Sequence, residues 1–545
     1  MNGREHRDHD SKRNAAHTPA SVHFLASVSE AGWELEQYDG RHAGRRDCAG
    51  LVASGLVVIR ASRVAAVLFV AGKARVSVDR IVRRRLFVTG IVQGVGFRPY
   101  VWRRAVRLDL AGFVANGPGG VSVEVQGPAA AVMAFTEQLA AGAPPLAHVT
   151  GVTSQELPFE EPMAGFVIRP SVAETAGDTS LPADVATCAA CLAECRDPAD
   201  RRYGHAFIAC TDCGPRYTII TGLPYDRATT TMRSFPMCPA CDREYHDPAS
   251  RRFHAEPIGC HDCGPVLWYA EAGQVPVPIE SAAAPIRSAA AVDRARRDLL
   301  AGKIVAIKGI GGFHFACDAT HPKAVATLRR RKGRSAKPLA VMVADVAAAQ
   351  GLAVVDEQER RLLTGASAPI VLLRRNRRPM QPVADEVAPD AALLGIMLPY
   401  TPLHHLLCDD MPPLVMTSGN LADEPIVHDN AAAVARLAPL CDAFLLHDRE
   451  IHVPCDDAVM RPAAGLPVAI RRSRGQVPLP VRFDRQGPDL VAAGGDLKAA
   501  IGVLRKDRLH LSQHLGDAVH PETLSAMTRA ADHLLQLFAA TPRGV

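Results

Sequence analysis

The chain has 545 residues, of which 48% are hydrophobic and 22% are charged, and its formal net charge is +5 at pH 7. This length predicts three to four domains of about 150 residues each, and this composition is that of packed globular domains rather than of a disordered chain. Residues 1–84 hold 14 basic and 9 acidic residues and thus account for the whole net positive charge. The rest of the chain is neutral, which argues against a broad nucleic-acid-binding surface.

Residues 1–84 form an N-terminal extension to which the sequence assigns no function. The first ten residues are polar and charged, so we expect no secretory signal peptide. The most apolar run, residues 51–72, contains Arg60 and Arg63 near its middle. Charges there are costly in lipid, so we expect no membrane span. Either this extension is disordered or the assumed translation start is misplaced.

Residues 85–172 predict a small domain with a phosphate-binding turn. The predicted elements are strands at 86–92, 112–116 and 121–126 and helices at 100–108 and 129–141. The order β-α-β-β-α-β is typical of a split-βαβ fold. The turn before the first helix consists of Gln93, Gly94, Val95, Gly96 and Phe97. Its glycines let backbone amides approach an anion at the positive end of the helix.

Two polar residues accompany this turn. Arg98 follows it directly and offers a planar fork suited to phosphoryl oxygens, and Asn116 ends the next predicted strand. With these residues, the block at about 85–172 resembles the acylphosphatase family. The resemblance implies that Arg98 and the turn bind a phosphoryl group, that Asn116 positions the attacking water, and that both residues are catalytic.

Residues 173–284 contain eight of the fourteen cysteines, in two copies of one pattern offset by 50 residues. The copies contribute Cys188, Cys191, Cys210 and Cys213, then Cys238, Cys241, Cys260 and Cys263. Two Cys-X-X-Cys turns can surround one ion tetrahedrally, which predicts a structural zinc ion without an open position. Disulfides are the alternative that this spacing disfavours. We expect two zinc ions, one per copy, with interleaved pairing left open. Reduced cysteines also favour a cytoplasmic protein.

Arginines stand beside aromatic residues between the cysteine pairs, at Arg201-Arg202-Tyr203 and Arg251-Arg252-Phe253. Such a pairing can bind nucleic acid, or it can serve packing and solvated charge. We favour packing and expect no nucleic-acid partner.

Residues 285–480 predict an α/β domain with a polyanion pocket. An apolar strand at 304–308 runs into a glycine-rich turn, and a basic run follows at 328–340. With the turn at 418–420, this block resembles the YrdC family, which builds carbamoyl-adenylate-type intermediates from ATP. The resemblance implies a nucleotide site for ATP with magnesium formed by Lys332, Arg334, Lys337, Ser418 and Asn420. The chain departs from that family at Ala458, where relatives commonly have Ser.

Residues 481–545 resemble the start of a carbamoyl-transfer domain of the actin-like ATPase class. The matching pieces are a Gly-Gly-Asp segment at 494–496 and an amphipathic helix predicted at 523–538. In relatives this domain continues, with a later metal site. We therefore expect a C-terminally truncated chain that transfers the carbamoyl group poorly.

The order of these four blocks resembles the HypF family, the carbamoyltransferases of nickel–iron hydrogenase maturation, over about 85–545. It implies a mixed α/β and α+β multidomain enzyme. The first domain then cleaves carbamoyl phosphate, and the YrdC-like domain joins the carbamate to ATP. The last domain passes the carbamoyl group to the C-terminal cysteine of a HypE-type acceptor, for the cyanide ligands of the hydrogenase iron.

Two other functions stay open at this point. One is threonylcarbamoyl-adenylate synthesis for tRNA modification, which uses YrdC chemistry but needs neither the first domain nor the cysteine repeat. The other is a zinc-dependent binding module without catalysis, which the neutral main body disfavours for nucleic acid.

Overall fold

The computed structural model describes residues 80–543, together with four strands nearer the N-terminus. Within 80–543 the description omits residues 118, 161–164, 171–180, 275–285, 335, 377–378, 380–381 and 422–423. The chain divides into two units, Met1–Val78 and Asp79–Val545. No helix in the described part of the chain is long and apolar enough to cross a bilayer.

The first unit contains two antiparallel hairpins. One joins β1 (His23–Ser29) to β2 (Gly32–Tyr38), and the other joins β3 (Leu56–Ala61) to β4 (Val64–Phe69). These strands lie in the extension for which the sequence predicts no element.

The second unit begins with a split-βαβ domain, here called the first domain. Its elements are β5 (Ile81–Ile91), α1 (Phe97–Arg107), β6 (Ala111–Gly117), β7 (Gly120–Pro128), α2 (Ala129–Ala141), β8 (His148–Leu157) and β9 (Phe166–Ile168). The sheet order is β8-β5-β7-β6-β9. Val88 of the sheet, Phe97 of α1 and Phe135 of α2 share one buried core. The predicted β-α-β-β-α-β order is confirmed, and the short β9 adds an edge strand parallel to β6.

The cysteine repeat occupies residues 181–266, here called the finger region. Each copy contributes one short helix, α3 (Ala189–Arg196) in the first and α4 (Pro239–His246) in the second. Both helices begin immediately after the first cysteine of their copy. The remaining backbone is mostly turns, so the cysteines themselves form the buried centre of each copy.

A twelve-stranded sheet dominates residues 267–480, here called the large-sheet domain. Its strands are β10 (Leu267–Glu271), β11 (Ile286–Arg287), β12 (Val305–Lys308), β13 (Phe313–Asp318), β14 (Val341–Met342), β15 (Ala353–Val354), β16 (Ile370–Arg375), β17 (Leu393–Met397), β18 (Leu414–Ser418), β19 (Ala443–His447), β20 (Val459–Ala463) and β21 (Leu466–Arg471). Its helices are α5 (Ser288–Leu300), α6 (Pro322–Lys332), α7 (Val346–Leu352), α8 (Glu357–Thr364), α9 (Pro402–Cys408) and α10 (Asn430–Leu437).

Both faces of the central strands are buried, which explains their continuous apolar runs. Along β12, Val305 and Ile307 belong to one core cluster and Ala306 to the other, as the alternation of strand side chains requires. The strand order β10-β19-β12-β13-β18 places the ends of β12, β18 and β19 near one another. This edge of the sheet carries the polar residues considered below.

The finger region and the large-sheet domain share a core. Strand β10 begins four residues after Cys263 and pairs with β19. Phe207 of the first finger copy packs in the same cluster as Tyr269 and Ile307. The fingers therefore pack directly against the sheet.

The C-terminal segment consists of the hairpin β22 (Val481–Ala493) and β23 (Ile501–Leu511), followed by α11 (Pro521–Phe538). Leu534 and Phe538 of α11 pack against Val503 of β23, in a cluster that also contains Tyr217 and Tyr225 of the finger region. The segment therefore rests on the fingers.

Candidate functional site

Two groups of four cysteine sulfurs converge in the finger region, one from each copy of the repeat. In each group all four sulfurs lie within 4.8 Å of one another. Cys188 Sγ is 3.6 Å from Cys210 Sγ, and Cys238 Sγ is 3.7 Å from Cys260 Sγ. Sulfurs at about 2.3 Å from a zinc ion lie about 3.8 Å apart in a tetrahedron, so both groups fit zinc. The pairing is tandem rather than interleaved, and the described cysteines are free thiols.

Each copy supplies arginines to the sulfur group of the other copy. Arg201 Nη2 donates to Cys241 Sγ at 3.0 Å, and Arg251 Nη2 donates to Cys191 Sγ at 3.1 Å. The neighbouring arginines pair with a glutamate of the other copy, Arg202 with Glu244 and Arg252 with Glu194. A zinc ion with four thiolates carries net negative charge, which these donors offset. The arginine-rich loops therefore pack the copies together.

The phosphate loop, residues 93–97, connects β5 to α1. Gly94 and Gly96 adopt φ values of +67° and +72°, in the left-handed region that favours glycine. The first amides of an α-helix have no partner within the helix, and a glycine turn that leads into a helix is an arrangement that binds anions. Gln93 Nε2 donates to Gly117 O at 3.0 Å and to Gly120 O at 2.9 Å. Gln93 thus fixes the loop through its side chain.

Arg98 and Asn116 meet beside this loop. Both are buried, at 8% and 5% exposure. With its amide oriented to satisfy both groups, Asn116 accepts hydrogen bonds from Arg98 Nε at 3.2 Å and Nη2 at 3.3 Å. Burial lowers the pKa of Arg98, and the carboxylates of Asp226 and Glu256 oppose that shift. The structure therefore brings together a cation and an amide that can hold a phosphoryl group and a water molecule.

The finger region covers the phosphate loop. A pocket of about 310 Å³ is lined on one side by the loop and Arg98 and on the other by Thr211, Tyr225, Phe253, His254 and Glu256. A Cβ on Gly94 would lie 3.0 Å from the Tyr225 ring, and one on Gly96 would lie 3.1 Å from Thr211 Oγ1. Arg216 of the first copy donates to Gly94 O at 3.1 Å. The site therefore lies between the first domain and the fingers.

The second finger copy departs from the first where it faces this pocket. His254 stands where the first copy has Gly204, and both adopt a left-handed backbone. A non-glycine residue in that region is uncommon. Glu256 replaces Ala206 of the first copy. The repeat therefore places a histidine and a carboxyl group over Arg98.

These two residues have shifted protonation equilibria. Burial raises the pKa of Glu256 to about 7, against a hydrogen bond that Tyr245 Oη donates to it at 2.7 Å. Burial and the charge of Arg98 lower the pKa of His254 to about 4, so its imidazole is neutral at pH 7. The side chains of Asp226, His254 and Glu256 lie within 4.8 Å of one another. These three residues, here called the roof of the phosphate loop, can therefore exchange hydrogen bonds with a bound molecule, and Glu256 can also exchange a proton with it.

The predicted nucleotide residues gather around the end of β18. Lys332 is buried at 3% exposure, and its Nζ donates to Asn420 O at 2.8 Å and to Asn420 Oδ1 at 2.6 Å. Arg334 Nη1 donates to Thr417 Oγ1 at 3.3 Å, whereas Lys337 lies exposed on the following loop. Ser418 Oγ is 2.8 Å from Asn420 Oδ1. The lysine thus holds the turn at 418–420 in shape.

Asp456 and Asp457 are held by ion pairs. Asp457 accepts from Arg474 Nε at 2.8 Å and contacts His314 Nε2 at 3.0 Å. Asp456 contacts His514 Nδ1 of the C-terminal segment at 3.1 Å. Both carboxylates that precede Ala458 are therefore engaged in ion pairs, and they do not line an open pocket.

Sequence reasoning missed several residues of these sites. Arg216 breaks the repeat, because Val266 stands at the corresponding position of the second copy, and a comparison of the copies could have found it. The same comparison could have found His254 and Glu256. Lys308 and Arg449, which line a second pocket described below, gave a weaker signal: a lysine that ends one apolar strand and an arginine two residues after the end of another.

Four family models match parts of the second unit. The family described as "Acylphosphatase" matches residues 84–168, "HypF finger" matches 187–220 and 237–270, "Telomere recombination" of the Sua5, YciO and YrdC proteins matches 297–473, and "HypF Kae1-like domain" matches 485–545. An acylphosphatase of Bifidobacterium longum is 42% identical over 91 residues, which are 16% of this chain and 93% of that protein.

Longer relatives match nearly the whole second unit. The carbamoyltransferase HypF2 of Cupriavidus necator is 46% identical over 484 residues, which cover 85% of this chain and 59% of the relative. A crystal structure of full-length HypF in the phosphate- and nucleotide-bound form is 39% identical, with a TM-score of 0.79, over 86% of this chain and 60% of that one. The chain thus spans about three-fifths of the length of these relatives.

Proposed function

Because this chain belongs to the HypF carbamoyltransferase family, we propose that it cleaves carbamoyl phosphate at the phosphate loop and joins the resulting carbamate to ATP in the large-sheet domain. The product is carbamoyl-adenylate, for the cyanide ligands of nickel–iron hydrogenases. The observation that carries this proposal is the covered phosphate loop. One chain holds an acylphosphatase-type site under the fingers and a nucleotide-type site on the sheet that carries those fingers.

In the first step the amides of the phosphate loop and Arg98 bind the phosphoryl group. Asn116 holds a water molecule, whose oxygen attacks phosphorus. The bond from phosphorus to the bridging oxygen breaks, carbamate leaves with the electron pair, and both protons of the water end on the phosphate product. Arg98 and the loop amides are fixed before the substrate arrives, so they stabilise the charge that develops in the transition state without reorganising.

In the second step a carbamate oxygen attacks the α-phosphorus of ATP, and pyrophosphate leaves. Lys332, Arg334 and Lys337 supply positive charge for the nucleotide phosphates, together with magnesium. Carbamate decomposes in water, so a site enclosed by the fingers protects it between the steps. Both zinc ions serve structure, since four sulfurs leave no position for a substrate.

A HypE-type protein is the proposed acceptor of the carbamoyl group, and residues 485–545 are the part matched to the HypF Kae1-like domain. The free thiols of the finger region fit the reducing cytoplasm as the place of action. The roof over the phosphate loop favours an acyl phosphate substrate over the bicarbonate and threonine that the tRNA-modifying reaction uses.

Phosphate release from carbamoyl phosphate tests the first step. Arg98→Ala and Asn116→Ala should each lower kcat by about 100-fold or more, as loss of a transition-state donor does. Arg107→Ala is the matched control, because Arg107 is exposed at the end of the same helix, and it should leave the rate unchanged. Retention of wild-type release by Arg98→Ala would overturn the site assignment.

A further inference from the structure

A second pocket lies where the first finger copy meets the large sheet. Lys308 ends β12, and Arg449 follows the end of β19, which is the parallel neighbour of β12. Both side chains line one pocket of about 400 Å³, together with Thr187, Phe207 and His447. They are buried at 3% and 6% exposure. Two cations therefore line one pocket.

Neither cation has an ion pair within the described part of the chain. Lys308 Nζ donates to His447 O at 3.1 Å, and the Arg449 guanidinium lies over the Phe207 ring at 5.2 Å without a hydrogen bond to any described residue. The charges of Asp184 and Asp448 reach Arg449, and those of Asp429, Asp448 and Glu450 reach Lys308, but none of these carboxylates forms an ion pair with either cation within the described residues. Burying a charge without an ion-pair partner is costly, so an anion bound beside these two cations would stabilise them.

The protonation of both residues fits this arrangement. Burial and the charge of Arg449 lower the pKa of Lys308 to about 8, and burial lowers the pKa of Arg449 to about 10. Both remain mostly charged at pH 7, and a bound anion favours the charged forms further. The other polar side chains of the lining are Thr187, Tyr400, Thr401 and His447, and burial holds the pKa of His447 well below its usual range, so that its imidazole is neutral. Lys308 and Arg449 are therefore the charged groups of the pocket, which suits a small anion.

The pocket lies close to the nucleotide residues. Strands β12, β13 and β18 are consecutive in the sheet, with Lys308 opposite Phe313 and Ser418 opposite His314. Phe315 lies two residues beyond Phe313 and therefore on the same face of the sheet as Lys308. Lys332 Nζ lies over the Phe315 ring at 5.4 Å, so an anion beside Lys308 is on the face of the sheet that carries Lys332.

The first finger copy is specialised at this pocket. Phe207, which covers the pocket, stands where the second copy has Pro257. Its ring contacts His447 edge to face at 5.1 Å, besides lying under Arg449. Each finger copy thus departs from the repeat where it closes a pocket, His254 and Glu256 over the phosphate loop and Phe207 over this one.

We propose that Lys308 and Arg449 bind the planar carboxylate-type anion that attacks ATP, which under the proposed function is carbamate. The two cations hold one carboxylate oxygen of the anion, and the other oxygen is directed at the α-phosphorus. The new bond joins that oxygen to phosphorus, the α–β phosphoanhydride bond breaks, and pyrophosphate carries away the electron pair. The step needs no proton or oxidant. Bicarbonate has a similar shape and the same charge as carbamate and is the alternative ligand for this pocket.

The test uses the full chain with Lys308→Met and Arg449→Met, which remove charge and keep much of the bulk. Pyrophosphate formation from ATP and carbamoyl phosphate should fall by about 10- to 100-fold, as expected for a lost hydrogen bond to a charged group. Phosphate release from carbamoyl phosphate and binding of a non-hydrolysable ATP analogue should stay within about twofold of wild type, and this also shows that the variants fold. Arg449→Lys should restore part of the rate.

Exposed matched controls are Lys323→Met and Arg297→Met, which should behave as wild type. Wild-type pyrophosphate formation by the Met variants would overturn the proposal, and so would a parallel loss of ATP-analogue binding, which would place the nucleotide itself on these residues.

Calorimetric titration without ATP separates this site from the proposed function. Wild-type chain should bind ammonium carbamate, with bicarbonate and acetate as comparison ligands, and the double Met variant should not. Absence of binding to the wild type overturns the anion site. Failure of the proposed function alone would appear as anion binding without phosphate release from carbamoyl phosphate. Tighter binding of bicarbonate than of carbamate would overturn the assignment of carbamate as the ligand.

Discussion

Glu256→Gln should stabilise the protein increasingly as pH rises. The carboxyl group is 1% exposed and its pKa is raised to about 7 by burial, from an ordinary value of 4.5. Between these values the folded chain binds more protons than the unfolded chain, so stability falls as pH rises through this window. Asp226 adds to the upward shift, whereas Arg98 and the Tyr245 hydroxyl oppose it. A glutamine keeps the shape and can accept from Tyr245 without ionising.

The magnitude follows from the shift. Each pKa unit corresponds to about 1.4 kcal/mol, so the ionised carboxylate costs about 3 kcal/mol at pH 8 and about 2 kcal/mol at pH 6. The advantage of the variant in free energy of unfolding should thus grow by about 1 kcal/mol between pH 6 and pH 8. The measurement is the midpoint of thermal or urea unfolding, compared across this range for the two proteins.

The control is Glu137→Gln on the exposed face of α2, whose difference from wild type should not change with pH. The reasoning would be refuted if the gain in free energy of unfolding of Glu256→Gln over wild type stayed constant or shrank from pH 6 to pH 8. The carboxylate would then be as stable in the folded protein as in water.

Three further outcomes are expected. Asp457→Asn leaves Arg474 without its buried partner and should cost about 3–5 kcal/mol of unfolding free energy, whereas the exposed Asp484→Asn should cost little, and an equal effect of both variants in urea unfolding would count against the pairing. Burial opposes ionisation of Asp457, but Arg474 and His314 hold its pKa below the ordinary value. The stabilisation by the ionised Asp457 is therefore lost only as pH falls below about 4. Cys238→Ser with Cys241→Ser should lower bound zinc from two ions to one by elemental analysis, and retention of two would contradict the tandem sites. Gly96→Ala must adopt a left-handed backbone against Thr211, which costs about 1–2 kcal/mol, so phosphate release should fall, while Gly273→Ala, with open space around it, should release phosphate as wild type does.

Local pattern was enough to predict the first domain and the cysteine groups. The phosphate loop, Arg98 and Asn116 are close in sequence, and strand pairing between β6 and β7 brings Asn116 to the loop. The cysteines follow the spacing of two Cys-X-X-Cys turns, which is typical of tetrahedral zinc coordination. The family and the mixed α/β architecture are confirmed, and the residue roles at Arg98, Asn116 and the nucleotide turn stay proposals.

The contacts between domains could not be predicted in this way. The roof over the phosphate loop unites Arg98 with Glu256, which is 158 residues later, and no periodicity reports such a contact. The arginine exchange between finger copies depends on how the copies face each other, which spacing does not specify. The sharing of one core by Phe207 and the large sheet is likewise a tertiary fact. These contacts make the fingers part of two pockets as well as a connector.

The coupling of the two sites is the central claim, and one measurement tests it most directly. Pyrophosphate formation from ATP is followed for wild type and Arg98→Ala, with either carbamoyl phosphate or ammonium carbamate as the second substrate. We predict that carbamoyl phosphate supports pyrophosphate formation by wild type alone, whereas carbamate supports it in both proteins. Equal pyrophosphate formation by Arg98→Ala with carbamoyl phosphate, or no recovery with carbamate, would contradict it.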